Sequence, residues 1–96
     1  MNSTKYKIKT TSRFKKNLKK LLKRGKDHTK IELVVDLLSR GIGLEEKYKD
    51  HKLLDDKIFY GCRECHIEPD WLLVYRFEDD ILILVLVDTG SHSDLF

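Results

Sequence analysis

The sequence predicts a single domain of the α/β (α+β) class, with two helices from its N-terminal half packed on a small antiparallel sheet in the order β-α-α-β-β-β. One short alternating segment is followed by two segments with apolar residues at helical spacing. Three apolar runs of strand length, separated by short turns, fill the second half. A chain of 96 residues can build one small core, so we assign residues 1–96 to one domain.

The first strand and first helix are predicted from alternating and helical spacing. Residues 6–10 alternate in the manner of a half-buried strand. Thr11 and Ser12 are N-cap candidates for a helix over residues 13–24, which Gly25 would end. Its apolar residues form one stripe: Phe14, Leu18, Leu21 and Leu22.

A second helix is predicted between Asp27, a capping residue, and the pair Gly41 and Gly43. Its apolar stripe consists of Ile31, Val34, Val35 and Leu38. The two helices are expected to form a hairpin.

The second half predicts an antiparallel sheet. Residues 44–57 lack a period and are interpreted as a loop with at most one helical turn. Strands are predicted over 59–67, 72–77 and 81–87, with a tight turn at 78–80. Strands joined by short turns are antiparallel, and the helices should cover one sheet face and leave the other partly open. Trp71 and Tyr75 are expected in the core.

Charge is strongly segregated along the chain. The net charge of +3 combines +11 in residues 1–30 with −8 in residues 31–96. A basic segment of this density indicates phosphate binding, although a solvated lysine-rich face or an acidic partner would also fit. The candidate nucleic-acid-binding residues are Lys15, Lys16, Lys19, Lys20, Lys23 and Arg24.

No segment has the features of a membrane span or a signal peptide. No apolar stretch approaches the roughly 18 residues of a span, and lysines interrupt the N-terminus. We therefore expect no membrane partner and a cytoplasmic location.

The segment Cys62-Arg63-Glu64-Cys65-His66 matches the string that attaches haem covalently. In a strand, however, Cys62 and Cys65 would point to opposite faces because their spacing is odd. That geometry suits neither haem nor one zinc ion, so the sequence predicts two reduced thiols and no haem or zinc.

Three histidines and one carboxylate are candidates for acid–base chemistry. His51, His66 and His92 stand in polar motifs near predicted strand ends, and Asp70 follows His66 beyond Pro69. Imidazoles exchange protons near neutral pH. His66 and Asp70 are expected to be near neighbours, whereas spacing does not establish the positions of His51 and His92. His28 is expected to be a solvated residue.

Three segments together resemble the YafQ-like branch of the RelE superfamily of mRNA interferase toxins. They are Tyr48 to His51, Arg63 to Tyr75 and Thr89 to Phe96. The resemblance implies a microbial-ribonuclease-like fold and a ribosome-dependent endoribonuclease that cuts mRNA in the ribosomal A site. It also implies a cognate antitoxin, as in type II toxin–antitoxin pairs, and no cofactor or metal.

The resemblance also implies residue roles. His92 would be the general acid, His66 and Asp70 would share general-base and orienting work, and His51 would be a further site histidine. Phe96 would stack on a base, although it could instead pack against the sheet. Further candidate substrate contacts are Arg63, Lys49 and Lys52. The ribose 2′-OH would attack the adjacent phosphate without a metal ion.

Asp88 departs from the family pattern, which has an arginine two residues ahead of the glycine. A carboxylate there would repel the substrate phosphate, so weak activity is expected, or rescue by Arg63 or Arg76. The alternative function is therefore a catalytically weakened module that binds RNA, the ribosome or an antitoxin. A third is a basic, nonenzymatic ribosome-binding protein.

Overall fold

The computed structural model describes residues 4–96 and has the predicted order of main elements. The structure also contains two short elements that were not predicted: a two-residue strand inside the predicted loop and a C-terminal helical turn. The elements are β1 (Lys7–Thr10), α1 (Ser12–Lys23), α2 (His28–Ser39), a 3-10 turn (Glu46–Tyr48), β2 (His51–Lys52), β3 (Arg63–Glu68), β4 (Trp71–Glu78), β5 (Ile83–Gly90) and α3 (His92–Leu95).

The five strands form one sheet in the order β1-β5-β4-β3-β2. The three consecutive strands β3, β4 and β5 pair antiparallel, as predicted, and the unpredicted β2 adds antiparallel to β3. The prediction of a wholly antiparallel sheet is wrong for β1, which pairs parallel to β5 at the sheet edge. Because β1 is an edge strand, Ile8 remains 46% exposed, and the expectation of a half-buried Ile8 is wrong. Tyr6, just before β1, is buried.

The predicted caps begin both long helices. The Thr11 hydroxyl accepts a hydrogen bond from the amide of Phe14, and the Asp27 carboxylate accepts one from the amide of Thr29. Each bond satisfies an amide that has no partner inside its helix.

Each face of the sheet carries its own apolar cluster. Phe14 and Leu21 of α1 and Ile31, Val34 and Leu38 of α2 pack against one face. That cluster contains Trp71 and Tyr75, which confirms their predicted burial. The opposite face is covered in part by residues 53–62 and α3, through Phe59, Cys62, Leu72, Val74 and Leu95.

The starts of two predicted strands are wrong, and the last strand also ends later than predicted, at Gly90 rather than at residue 87. Residues 59–62 form a turn rather than a strand, because the Asp56 carboxylate accepts hydrogen bonds from the amides of Ile58 and Phe59. The last strand begins at Ile83 rather than Ile81, because the hairpin turn extends to Leu82, whose φ is 51°.

The two thiols lie on opposite faces of the sheet, as predicted. Cys62 belongs to the cluster beside α3 and Cys65 to the cluster beneath α1 and α2. They therefore cannot hold one metal ion together, and burial raises the pKa of both thiols. Within residues 4–96, no helix is long and apolar enough to cross a membrane.

Candidate active site

The candidate site lies on the sheet face that carries α3. In the β3–β4 register Glu64 is opposite Val74 and His66 is opposite Leu72, so Glu64 and His66 share that face. His92 is the first residue of α3 and immediately follows its N-cap, Ser91. The strand β3 and the helical turn after β5 thus bring two distant histidines together.

A capping box fixes the backbone around His92. The Ser91 hydroxyl accepts a hydrogen bond from the amide of Asp94, and the Asp94 carboxylate accepts one from the amide of Ser91. The hydrogen bond from the Ser91 amide is the main cause that lowers the pKa of the Asp94 carboxyl. Gly90 precedes the box, and a Cβ there would lie 2.9 Å from the Cβ of Asp94. The close approach of strand end and helix therefore requires glycine.

Asp70 holds His92 at two points. Its Oδ1 accepts a hydrogen bond from the backbone amide of His92 at 2.8 Å and lies 2.6 Å from the ring Nδ1. Because a carboxylate only accepts, Nδ1 carries the ring hydrogen here and Nε2 remains available. The two bonds lower the pKa of Asp70. The expected His66–Asp70 pair is therefore corrected to an Asp70–His92 pair, because the Pro69–Asp70 turn directs the carboxylate toward α3.

The His66 ring lies beside His92 in a cavity with a basic rim. The two ring centroids are 5.4 Å apart at an interplanar angle of 65°. Both rings line a cavity of about 770 Å³. The other polar side chains in its lining are Lys30, Lys47, Tyr48, Lys49 and Glu68. Three of the four sequence-predicted site residues, His66, Asp70 and His92, are thus within one constellation.

His51 joins this constellation through Glu64, a residue that the sequence analysis missed. His51 is the cross-strand partner of Glu64. The Oε1 atom of Glu64 lies 3.7 Å from Nε2 of His51 and 3.4 Å from Nε2 of His66. Because Glu64 and His66 are two residues apart in a strand, same-face spacing could have identified the pair.

The predicted substrate contacts are dispersed. Lys49 lines the cavity, whereas Lys52 is exposed on β2. Phe96 is 54% exposed and packs edge-on against Phe59, with 5.8 Å between ring centroids. It can therefore offer most of its ring to a ligand.

Arg63 faces the other side of the sheet from His66, next to Tyr75. Its Nη2 lies 3.0 Å from a carboxylate oxygen of Asp50, and this pairing raises the pKa of Arg63. The structure thus does not bring Arg63 to the histidines. Arg76 is also paired, with Glu78.

Asp88 is buried and directed toward α1. It is 1% exposed and absent from the cavity lining. Its Oδ2 lies 2.8 Å from Nε of Arg13, and its Oδ1 accepts hydrogen bonds from Asn17 at 2.6 Å and from the amide of Thr89 at 2.8 Å. A carboxylate neutralised in this way does not face a phosphate in the cavity, so the physical basis of the expected repulsion is absent.

The basic surface of α1 continues toward the site. The six predicted residues Lys15, Lys16, Lys19, Lys20, Lys23 and Arg24 are exposed. Lys20 and Arg24 line a small cavity with Asp94, two residues beyond His92. Lys26 and Lys30 instead each lie 2.7 Å from a carboxylate oxygen of Glu68, and they lower its pKa.

Among residues 4–96, no group of three or more His, Cys, Asp or Glu side chains is placed to hold a metal ion. Fold and site together define a small α+β protein whose clustered imidazoles lie next to a basic helix and can perform acid–base chemistry.

Comparisons with known proteins agree with this class. Residues 6–96 match the family described as "Bacterial toxin of type II toxin-antitoxin system, YafQ". The chain is 37% identical to the mRNA interferase toxin YafQ of Escherichia coli BL21(DE3) over 90 residues, which cover 93% of this chain and 94% of that protein. The chain therefore belongs to the YafQ family of bacterial toxins, which is consistent with its placement in the RelE superfamily.

Solved structures support the assignment. The chain superposes with a TM-score of 0.82 on a crystal structure of the E. coli DinJ-YafQ complex, at 36% identity, covering 95% of this chain and 98% of that one. For a metal-bound toxin from Helicobacter pylori the TM-score is 0.84 at 44% identity, covering 95% and 99%. The predicted fold class is thus confirmed.

Proposed function

We propose that this protein is a ribosome-dependent endoribonuclease, an mRNA interferase that acts as the toxin of a type II toxin–antitoxin pair. The observation that carries the proposal is the geometry of His92, held by Asp70 and adjacent to His66 in a lysine-rimmed cavity. The similar E. coli proteins are mRNA interferases by name.

The proposed reaction needs one base and one acid. His66 removes the proton from a ribose 2′-OH, whose oxygen attacks the adjacent phosphorus, and the bond to the 5′-oxygen breaks. His92 acts in its imidazolium form, with one hydrogen on Nδ1 bound to Asp70 and a second on Nε2, and it donates the Nε2 proton to that leaving oxygen. The products are a 2′,3′-cyclic phosphate and a 5′-hydroxyl. Only RNA supplies the internal hydroxyl.

We assign Asp70 to orientation rather than to general-base work. The pKa of its carboxyl is lowered by both bonds to His92, so it is a weak base. Asp70→Asn is expected to lower cleavage by about 100-fold, the scale of a misplaced reacting group, without changing ribosome affinity. Single-turnover cleavage and ribosome pelleting measure these two quantities. An unchanged cleavage rate would contradict the assignment.

Positive charge near the cavity supports RNA binding. Lys49 and Lys52 would contact substrate phosphates, and Phe96 would stack on a base. The exposed basic residues of α1 would contact ribosomal RNA: Lys15, Lys16, Lys19, Lys20, Lys23 and Arg24. Ribosome affinity should then fall steeply with salt, because lysine–phosphate contacts release counterions.

The deciding experiment is primer-extension mapping of cleavage on translated mRNA, with wild type next to His92→Ala. Removal of the general acid should lower the cleavage rate by about 10²- to 10⁴-fold. His28→Ala is the matched control, because His28 is an exposed histidine at the start of α2 whose ion-pair partner, among residues 4–96, is Glu32. Equal cleavage by wild type and His92→Ala would refute the mechanism.

We also propose that a cognate antitoxin binds and silences this protein, since a similar toxin was crystallised in the DinJ-YafQ complex. Expression alone should arrest growth, and co-expression of the cognate antitoxin should restore it. If wild type and His92→Ala are equally harmless yet both bind ribosomes, the nonenzymatic binding function is favoured instead.

A further inference from the structure

Glu64 is a buried carboxylate with an unusual set of neighbours. It is 5% exposed, although it lies near the sheet edge, in β3 beside the two-residue strand β2. Among the described residues it pairs with no lysine or arginine, and the groups within ion-pair distance are the imidazoles of His51 and His66. A buried carboxylate without a fixed cationic partner is costly to the fold.

The hydrogen atoms of His66 can be placed from these contacts. Its Nε2 lies 3.4 Å from Oε1 of Glu64, and a carboxylate oxygen only accepts. Neutral His66 can therefore direct a hydrogen toward Glu64 only when that hydrogen is on Nε2. The lone pair is then on Nδ1, which makes no hydrogen bond to any described residue and can accept a proton from a ligand.

His51 presents the opposite arrangement to the same oxygen. Its Nδ1 lies 2.7 Å from the carbonyl of Lys49, so Nδ1 is the donor in neutral His51. Its Nε2 then directs a lone pair toward Oε1 of Glu64, at 3.7 Å. A proton taken up by His51 at Nε2 would face Glu64 at ion-pair distance.

We propose that Glu64 is a positioning residue that fixes the Nε2–H tautomer of His66, leaves Nδ1 as the basic atom, and forms an ion pair with His51 when that ring is protonated. This inference rests on the proposed ribonuclease function, in which His66 is the base. Glu64 would act through the two imidazoles without touching the substrate.

Long-range ¹H–¹⁵N correlation spectra of the folded wild type test the tautomer without any substitution. His66 should show the pattern of a protonated Nε2 and an unprotonated Nδ1 at a pH where the ring is neutral. Glu64→Gln should convert this into a mixture of tautomers, since the charge that selects one is gone. A wild-type His66 with its hydrogen on Nδ1 would overturn the proposal.

Single-turnover cleavage tests the consequence. Glu64→Gln should lower the rate by about 10- to 100-fold with half-saturation by ribosomes unchanged. Glu78→Gln is the matched control, because Glu78 ends β4 far along the chain from both histidines and pairs with Arg76. Cleavage by Glu64→Gln within about twofold of wild type would refute positioning. If wild type itself does not cleave, the proposed function fails, while the tautomer spectrum still decides the role of Glu64.

Discussion

Truncation of Asp88 to alanine is expected to destabilise the fold by about 3 kcal/mol. The change leaves the buried amide of Thr89 without its acceptor, at a cost of about 1–3 kcal/mol, and removes the hydrogen bond from Asn17, worth about 1 kcal/mol. The ion pair with Arg13 adds at most about 1 kcal/mol, because the Arg13 side chain is 55% exposed. For a domain of this size, about 3 kcal/mol corresponds to a melting temperature lower by roughly 12–24 °C.

Thermal and urea unfolding followed by circular dichroism measure this loss, with Asp80→Ala in the exposed hairpin turn as the control. Combining the substitution with Arg13→Ala in a double-mutant cycle isolates the ion pair. A loss below about 0.5 kcal/mol, the usual range of surface substitutions, would refute the reasoning.

Asp88→Arg separates the structural role of Asp88 from the repulsion of phosphate that the sequence alone suggests. The substitution would place a second guanidinium against Arg13 in a buried position. We expect greater destabilisation than for Asp88→Ala and no gain in mRNA cleavage. Faster cleavage at unchanged stability would instead support the phosphate-repulsion hypothesis.

Two further predictions concern the surroundings of the site. Gly90→Ala should slow mRNA cleavage, because the added Cβ would lie 2.9 Å from that of Asp94 and displace α3; a cleavage assay and an unfolding curve on the same sample measure this. Glu68→Gln should reduce the pH dependence of the free energy of unfolding at acidic pH. Lys26 and Lys30 lower the pKa of Glu68, so the stabilisation is present above the ordinary value of 4.5 and is lost as pH falls through the folded pKa. Equal slopes below pH 4.5 for wild type and variant would contradict this.

Local spacing predicted most of the fold because helices and strands are set by neighbours along the chain. The stripes of α1 and α2 and the caps at Thr11 and Asp27 act within a few residues. The parallel pairing of β1 with β5 joins segments more than 70 residues apart, and no local pattern encodes it. The run at Phe59 was misassigned because Asp56 turns the backbone while the aromatic ring still reaches the core.

The sequence predicted most of the residues of the site, but it did not predict which of them contact one another. Motifs identified His66, His92 and Asp70, but which carboxylate meets which imidazole depends on the direction of the Pro69–Asp70 turn. Glu64 was within reach of sequence reasoning, since the same-face rule applied to the two cysteines holds for it and His66 as well.

Carboxylates from the acidic half explain why charge counts overstate the basic surface. Arg13 is engaged by Asp88, Lys26 and Lys30 are engaged by Glu68, and Arg24 lies 3.9 Å from Asp94, so four of the cations in the first thirty residues pair with carboxylates of the second half. The exposed lysines of α1 remain accessible to an external partner. The basic residues of the N-terminal segment therefore have two roles. Some attach α1 and α2 to the sheet through ion pairs, and others remain exposed and can bind phosphate. Burial and ion-pair geometry distinguish the two groups, whereas the sequence alone does not.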